Sequence, residues 1–411
     1  MALAAPVPAA SPPPYPRGTV AVVAPSDAGD LYVPALARHG WNCVAVTLPG
    51  ARQPRDTDGY LRNLAHRGSL RRTAAHLAHL GVRAVVAGSP SGTALADRLA
   101  ARLHLPGNDP STTDIRHDIG LTSSALLNAG ITAPRSIRTT RLASALNWAA
   151  FTQVPELVLE HADPAHRAPA YHCRTAVDIR SAWQALQHFG SQPVVLREHL
   201  TGLHYRIHTL TGPGADGTTD HTTTSIWSEI RTPSQQVCRA DLLSCRGLIS
   251  RSLALYTMRA LTALGVRYGP AHAAVTFIPD RGPALLSLRT DPHADFAYEA
   301  LRRATGQDPI RDTALLLTTG QRHAPLHQRS AHVTKVALLP RSDGALDAHL
   351  LRTLATLPTV AATTPLHAGA QVRAGQTAGW LLLIADDSRA INQDYQVVRT
   401  IESLGLYGNA P

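Results

Sequence analysis

The chain has 411 residues, enough for two or three domains, and 44% of them are hydrophobic, enough for sizeable cores. No run of 18 or more apolar residues occurs, which argues against a helical membrane span. The formal charge of +10 comes from scattered arginines, aromatics make up only 5%, and no nucleic-acid-binding motif is visible. Solvated surface is the simpler account of that charge, so neither nucleic acid nor membrane is expected as a partner.

Residues Met1 to Gly18 are rich in Ala and Pro, with Ser11-Pro-Pro-Pro14 at their centre. They lack the basic start and unbroken apolar stretch of a secretory signal, and read as a disordered leader. Thr19 to Ala24 predicts a buried strand, Leu31 to His39 a helix and Trp41 to Leu48 the next strand. Ser69 to Leu80 is helical, Gly81 to Gly88 a strand and Thr93 to Leu103 a helix. These units predict a parallel-sheet α/β domain over 19–110.

Ser111 to Asn128 has helical spacing, with Ser111 or Thr112 as cap. Strand-like runs follow at Leu157 to Leu159, Val194 to Leu196, Tyr205 to Leu210, Thr223 to Ile230, Ala273 to Ile278 and Ala284 to Leu288. Helices are expected at Val177 to Phe189 and Arg246 to Leu264. The stretch 111–330 is therefore an α+β body. His332 to Tyr407 reads as short strands with one helix, Ala345 to Leu357, giving a small β-rich lobe over 331–411. Cys43, Cys173, Cys238 and Cys245 are widely spaced, which favours free thiols and a cytoplasmic setting.

Several segments stand in a telling order: Gly81 to Gly88, Ala96-Asp-Arg-Leu-Ala100, Leu105-Pro-Gly-Asn108, Arg116-His-Asp118 and Gly130-Ile-Thr-Ala-Pro134. Glu198-His-Leu-Thr-Gly202, Gly265 to His272, Gly282 to Leu286 and Asp394 to Glu402 follow. Together they resemble the ATP-grasp ligases, and within them the L-amino acid ligases. The resemblance implies an N-terminal parallel-sheet domain, a split α+β grasp body and a small C-terminal lobe. It also implies ATP-driven joining of amino acids in specialised metabolism, with Leu196, Arg197 and Glu198 as the nucleotide hinge.

The chemistry that the resemblance implies is missing at each point. One phosphate lysine is due after Asp118, where Ile119 stands; the other falls at Leu159 or Glu160. Lys335 is the chain's only lysine, and arginine's planar fork does not replace a compact ammonium at phosphate. The phosphate-covering loop maps to His161 to Pro169, which has two prolines and no glycine. The magnesium acids map to Ala273 or Ala274 and to Ser287-Leu-Arg289-Thr-Asp291, with Asp295 farther on. His204 replaces the glutamate that would hold the ribose. ATP and magnesium are expected to bind weakly or not at all.

Arg116, Glu198, His204, Arg206, His272 and Arg289 remain as candidates for lining a cleft that takes an amino-acid-like anion. No catalytic residue is assigned, and whether the chain is an enzyme stays open. No metal is assigned either. The nearest zinc grouping is His199, His204 and His208, with His272 and His293 placed by the resemblance near the same cleft. The expected role is that of a degenerate, non-catalytic protein, paired with itself or with an active ligase. The alternatives are a ligase with an unusual site, or a repurposed ATP-independent enzyme or binder.

Overall fold

The computed structural model describes residues 17–50, 58–163, 168–190, 192–293, 298–322 and 331–409. The Ala/Pro leader up to residue 16, the middle of the expected covering loop (164–167) and Asp295 lie outside them. Among the described residues no helix is long and apolar enough to cross a membrane.

The N-terminal strands β1 (Gly18–Val23), β2 (Trp41–Thr47), β3 (Arg62–Ala65) and β4 (Val82–Ala87) form a parallel sheet in the order β3-β2-β1-β4. Their near-continuous apolar runs fit a sheet covered on both faces. Helices Leu70–His79 and Thr93–Arg102 cover one face through Leu77, Leu95 and Leu99. Helix Tyr32–Ala37 covers the other, together with Ile310, Ala314 and Leu317 of the distant helix Pro309–Thr319.

A second sheet is antiparallel: β5 (Ser136–Thr139), β6 (Leu157–His161), β7 (Tyr171–Cys173) and β8 (Val194–Glu198), ordered β5-β8-β6-β7. Helices Leu142–Thr152 and Ala176–Gln187 back it. The largest sheet contains β9 (Leu203–Pro213), β10 (Thr219–Arg231), β11 (Val237–Leu242), β12 (Gly269–Ile278), β13 (Gly282–Arg289) and β14 (His332–Leu338). The C-terminal strands are β15 (Gly344–Leu346), β16 (Val360–Thr363), β17 (Gln371–Val372), β18 (Gly379–Ala385) and β19 (Tyr407–Asn409). The large sheet runs β13-β12-β9-β10-β11-β14-β18-β16, so two of these C-terminal strands, β18 and β16, continue the body's own sheet. Only β17-β15-β19 form a sheet apart.

Two sequence expectations are corrected here. The helix expected over 111–128 breaks at Asp118, which is extended (φ −87°, ψ 117°) and whose carboxylate accepts from the amides of Gly120 and Leu121. A new N-cap inside the helical spacing thus divides helix Thr113–His117 from helix Ile119–Asn128. In the tail, Gly344–Leu346 is strand, Asp347 caps a shorter helix Ala348–Ala355, and a second helix, Ser388–Ile401, buries Ile391, Val398 and Ile401.

Two of the cleft candidates turn out to hold the fold instead. Arg116 is fully buried away from the cleft; its guanidinium meets Asp97 Oδ2 at 2.5 Å and donates to Thr112 Oγ1 and Thr113 Oγ1. Burial lowers the Arg116 pKa and raises that of Asp97, each against the pull of its partner. The pair is therefore costly to break rather than strongly stabilising in itself. Glu198 ends β8 and accepts from the Arg135 amide (3.0 Å) and from Arg281 in the β12–β13 turn (2.9 Å), tying the two antiparallel sheets together. Four residues on, a Cβ on Gly202 would lie 2.2 Å from the Phe277 carbonyl oxygen, so only glycine lets the chain pass into β9.

Two outcomes follow for stability. Arg116→Ala is expected to destabilise by about 3–5 kcal/mol in urea denaturation, whereas the double variant Arg116→Met/Asp97→Leu recovers most of that loss. At Glu198 burial pushes the carboxyl up, but the Arg281 and Arg135 hydrogen bonds and charges outweigh it and hold the pKa below its ordinary value. Its contribution is then present above the unfolded pKa near 4.3 and is lost as pH falls through the folded value. Glu198→Gln should cost roughly 1–3 kcal/mol at neutral pH and flatten the acid limb of a stability–pH curve.

Candidate functional site

A cleft of about 510 Å³ lies between the β5–β8 sheet and the large sheet. Strand alternation decides what faces it. On β6, Leu157 and Leu159 turn into the core under the helices, while Val158 and Glu160 line the cleft. On β9, Tyr205 and Ile207 are core, while His204 and Arg206 line the cleft. On β12, Ala273 and Val275 are core and Ala274 faces the cleft, directly across from Ser287 on β13. A bulge beside that pair leaves Leu286 without a partner in register, and both Leu286 and Ser287 reach the cleft wall.

Strand faces separate the two pairs left open in the sequence: Glu160 and Ala274 face the cleft, Leu159 and Ala273 the core. The two places where the resemblance sets lysines present Ile119 and Glu160 to the cleft. The two places where it sets magnesium acids present Ala274 and Ser287. The acid that does line the cleft, Glu160, is bound by Arg197 Nε at 2.5 Å. Magnesium needs hard, mostly anionic oxygens in octahedral array. The described residues of the cleft do not supply that donor set.

What they supply instead is cationic. Arg197, Arg206 and Arg231 line the wall beside His172, His199 and His204. Arg206 and Arg231 share the buried Glu229, at 3.1 and 2.5 Å. Burial pushes the Glu229 carboxyl up, but the two guanidiniums overcome this and keep its pKa below the ordinary value. Burial and nearby positive charge lower both His199 and His204, so both are neutral at pH 7. His199 Nδ1 lies 3.2 Å from Glu156, its ring 4.7 Å from that of His172; His204 Nδ1 lies 3.1 Å from Thr276 Oγ1.

Of the six cleft candidates, His204 and Arg206 line the site, whereas Arg116 and Glu198 do not. Arg289 clamps Asp291 with two hydrogen bonds of 2.9 and 2.6 Å. At the hinge, Leu196 is core and Arg197 is cleft wall. The Glu198 and His199 amides already donate to the Arg135 and Glu156 carbonyls. Sequence reasoning named Glu160 as one of two residues at a lysine position but missed Arg231 on the same charged rim. Alternation along Thr223 to Ile230 would have placed Arg231 with Glu229, had the strand been extended by one residue.

The zinc grouping weighed at His199, His204 and His208 does not assemble. His204 and His208 share a strand face, but four residues of rise separate them by about 13 Å. His208 instead meets His272 and His293, with one ring nitrogen from each all within 4.8 Å of one another. Its Nδ1 lies 3.1 Å from His272 Nδ1, while His272 Nε2 donates to the Asp291 carbonyl. Lys335 sits on β14 with its ammonium 3.7 Å from the Trp227 ring centroid, and does not line the cleft.

No protein-family model and no curated protein matches the chain. Solved structures do. The L-amino acid ligase of Bacillus licheniformis superposes with a TM-score of 0.74 at 13% identity, covering 94% of this chain and 98% of that one. N5-carboxyaminoimidazole ribonucleotide synthetase in its ADP complex gives 0.72 at 12%, covering 95% and 98%. Phosphoribosylglycinamide synthetase of Anaerococcus prevotii gives 0.64 at 10%, covering 93% and 98%. From the parallel N-terminal sheet to the closing helix, this chain has the fold of the ATP-grasp ligases.

Proposed function

We propose that this chain is a non-catalytic member of the ATP-grasp ligase fold, whose cleft binds a small anionic molecule of the amino-acid carboxylate type without magnesium nucleotide. The observation that supports this most is the pair Ala274 and Ser287, side by side on the cleft floor where the ligase chemistry needs carboxylates. Removing one well-placed charge stabiliser costs about 10²–10³ in rate, and here several are absent together. Three guanidiniums face the cleft, and guanidinium suits bidentate grip of a carboxylate. In this reading the protein works in the cytoplasm within amino-acid-derived specialised metabolism, as a supporting subunit beside an active ligase or a second copy of itself.

A second reading has one observation in its favour. The cleft's volume falls in the usual range for ligand sites, and Arg197, Arg206 and Arg231 are cations that an unusual ATP-dependent ligase would turn toward phosphate. Calorimetric titration with ATP, with and without magnesium, separates the two. The first reading expects magnesium to leave nucleotide affinity unchanged; micromolar, magnesium-dependent binding would overturn it in favour of the ligase.

For the supporting role, purification from the native cell is expected to bring down a ligase whose activity drops when this chain is removed. A protein that runs alone, leaves ligase activity unchanged and converts a substrate without ATP would make it a repurposed enzyme. Arg206→Gln should weaken carboxylate binding about tenfold or more, as loss of a charged hydrogen bond implies, measured by thermal shift across a panel of amino acids and dicarboxylates.

A further inference from the structure

The histidine cluster plays no part in the proposed cleft function. His208 is 4% exposed, and its Nδ1 stands 3.1 Å from the Nδ1 of His272. The three rings come from β9, from β12 and from the chain just past β13, and they pack with centroids 4.1 to 5.2 Å apart. We propose that His208, His272 and His293 form a site for one divalent transition-metal ion of the zinc class, with a fourth coordination position left open.

The donor set is nitrogen only, which suits zinc and its neighbours and not magnesium or calcium. Geometry is close to what such an ion requires. With metal–nitrogen bonds of about 2.05 Å, tetrahedral ligand atoms stand roughly 3.3 Å apart; the His208 and His272 Nδ1 atoms are already at 3.1 Å. The widest spacing in the set is 4.8 Å, so an inward shift of about 1.5 Å completes it.

The surroundings are those of a ligand shell. His272 Nε2 donates to the Asp291 carbonyl, which leaves its Nδ1 lone pair aimed at the centre of the cluster. Asp291 is held in turn by the double hydrogen bond from Arg289. Burial lowers the pKa of all three rings, His272 to about 4, so each is a neutral ligand at pH 7. A cavity of about 10 Å³ opens beside them, bounded by Thr209, Thr224, Asp312 and Thr313. That is room for a single water-sized ligand.

Positive charge nearby has to be reckoned with. Arg206 and Arg289 act on the cluster, but each is neutralised by its own acid, Glu229 and Asp291. Lys335 adds a positive field at His208 and His293. Such a field favours an anion or hydroxide over neutral water in the open position.

The test uses the full, untagged chain, stripped with chelator and titrated with zinc and, separately, cobalt(II). One equivalent should bind, raise the melting temperature, and with cobalt give the visible absorption of a four-coordinate site. His293→Ala, at the least buried of the three positions, should keep the metal-free melting temperature and weaken binding about 100-fold or more, at least the cost of losing a supporting partner. His272→Gln should do the same, and if that variant fails to fold, His293→Ala alone decides. His172→Ala/His199→Ala in the cleft should leave metal affinity unchanged. Absence of stoichiometric binding, unchanged affinity in His293→Ala, or loss that follows the cleft pair instead would each overturn the proposal.

Discussion

Everything that faces the cleft depends on how β9 alternates. The strand lies between β12 and β10, hydrogen-bonded on both sides, and cannot slip by one residue without exchanging its faces. Tyr205 and Ile207 go down into the core against helices Leu248–Ala263 and Ile119–Asn128; His204, Arg206 and His208 go up. Because buried aromatic and aliphatic side chains fix the register, the polar side chains above them are placed without needing partners of their own. The cleft and the histidine cluster are two ends of one strand face.

The charges in this region are arranged in closed groups. Glu160 answers Arg197, Glu229 answers Arg206 and Arg231, Asp291 answers Arg289, and Glu198 answers Arg135 and Arg281. A nucleotide site keeps cations partly unanswered until phosphate arrives, so that phosphate supplies their counter-charge. Here the three cleft guanidiniums, Arg197, Arg206 and Arg231, already face two carboxylates of the same chain, Glu160 and Glu229, which leaves one positive charge over. That surplus suits a single carboxylate; a triphosphate would have to displace acids held at close range, and the exchange of one anion for another leaves little net electrostatic gain.

Much of this was legible in the residues, and the failures have physical causes. The parallel strands β1, β2 and β4 were readable because burial on both faces leaves near-continuous apolar runs, broken only by a residue such as Asn42 or Arg83. That Ser287 and not a carboxylate stands on the cleft floor was readable in sequence, though only the β12–β13 register places Ala274 and not Ala273 beside it. Glu198 and Arg116 misled because a charged side chain in a family-like segment looks the same in sequence whether it faces a ligand or an ion pair. The partners, Asp97 and Arg281, are distant in sequence or on another strand turn. The histidine cluster was missed for the opposite reason. Parity along one strand suggested His204 with His208, while pairing across strands, which sequence order does not display, sets His208 opposite His272. Helix Ser388–Ile401 was hidden by polar residues on its outer face, although Asp387 as cap and the spacing of Ile391, Val398 and Ile401 were there to be read.

The helix Pro309–Thr319 has a consequence for how the protein is made. One apolar face of the N-terminal sheet is closed by Ile310, Ala314 and Leu317, which a ribosome delivers only after the whole stretch from Gly88 to Asp308 has emerged. The first domain to be synthesised is thus not the first that can finish. Its strands can pair early and helix Tyr32–Ala37 can settle on part of that side, but the rest of the face stays uncovered while the β5–β8 sheet and the first strands of the large sheet are made. An apolar sheet face left open for that long is a target for misassociation and for chaperones. Completion of the N-terminal core is in effect a checkpoint that only a chain grown past Leu317 can clear.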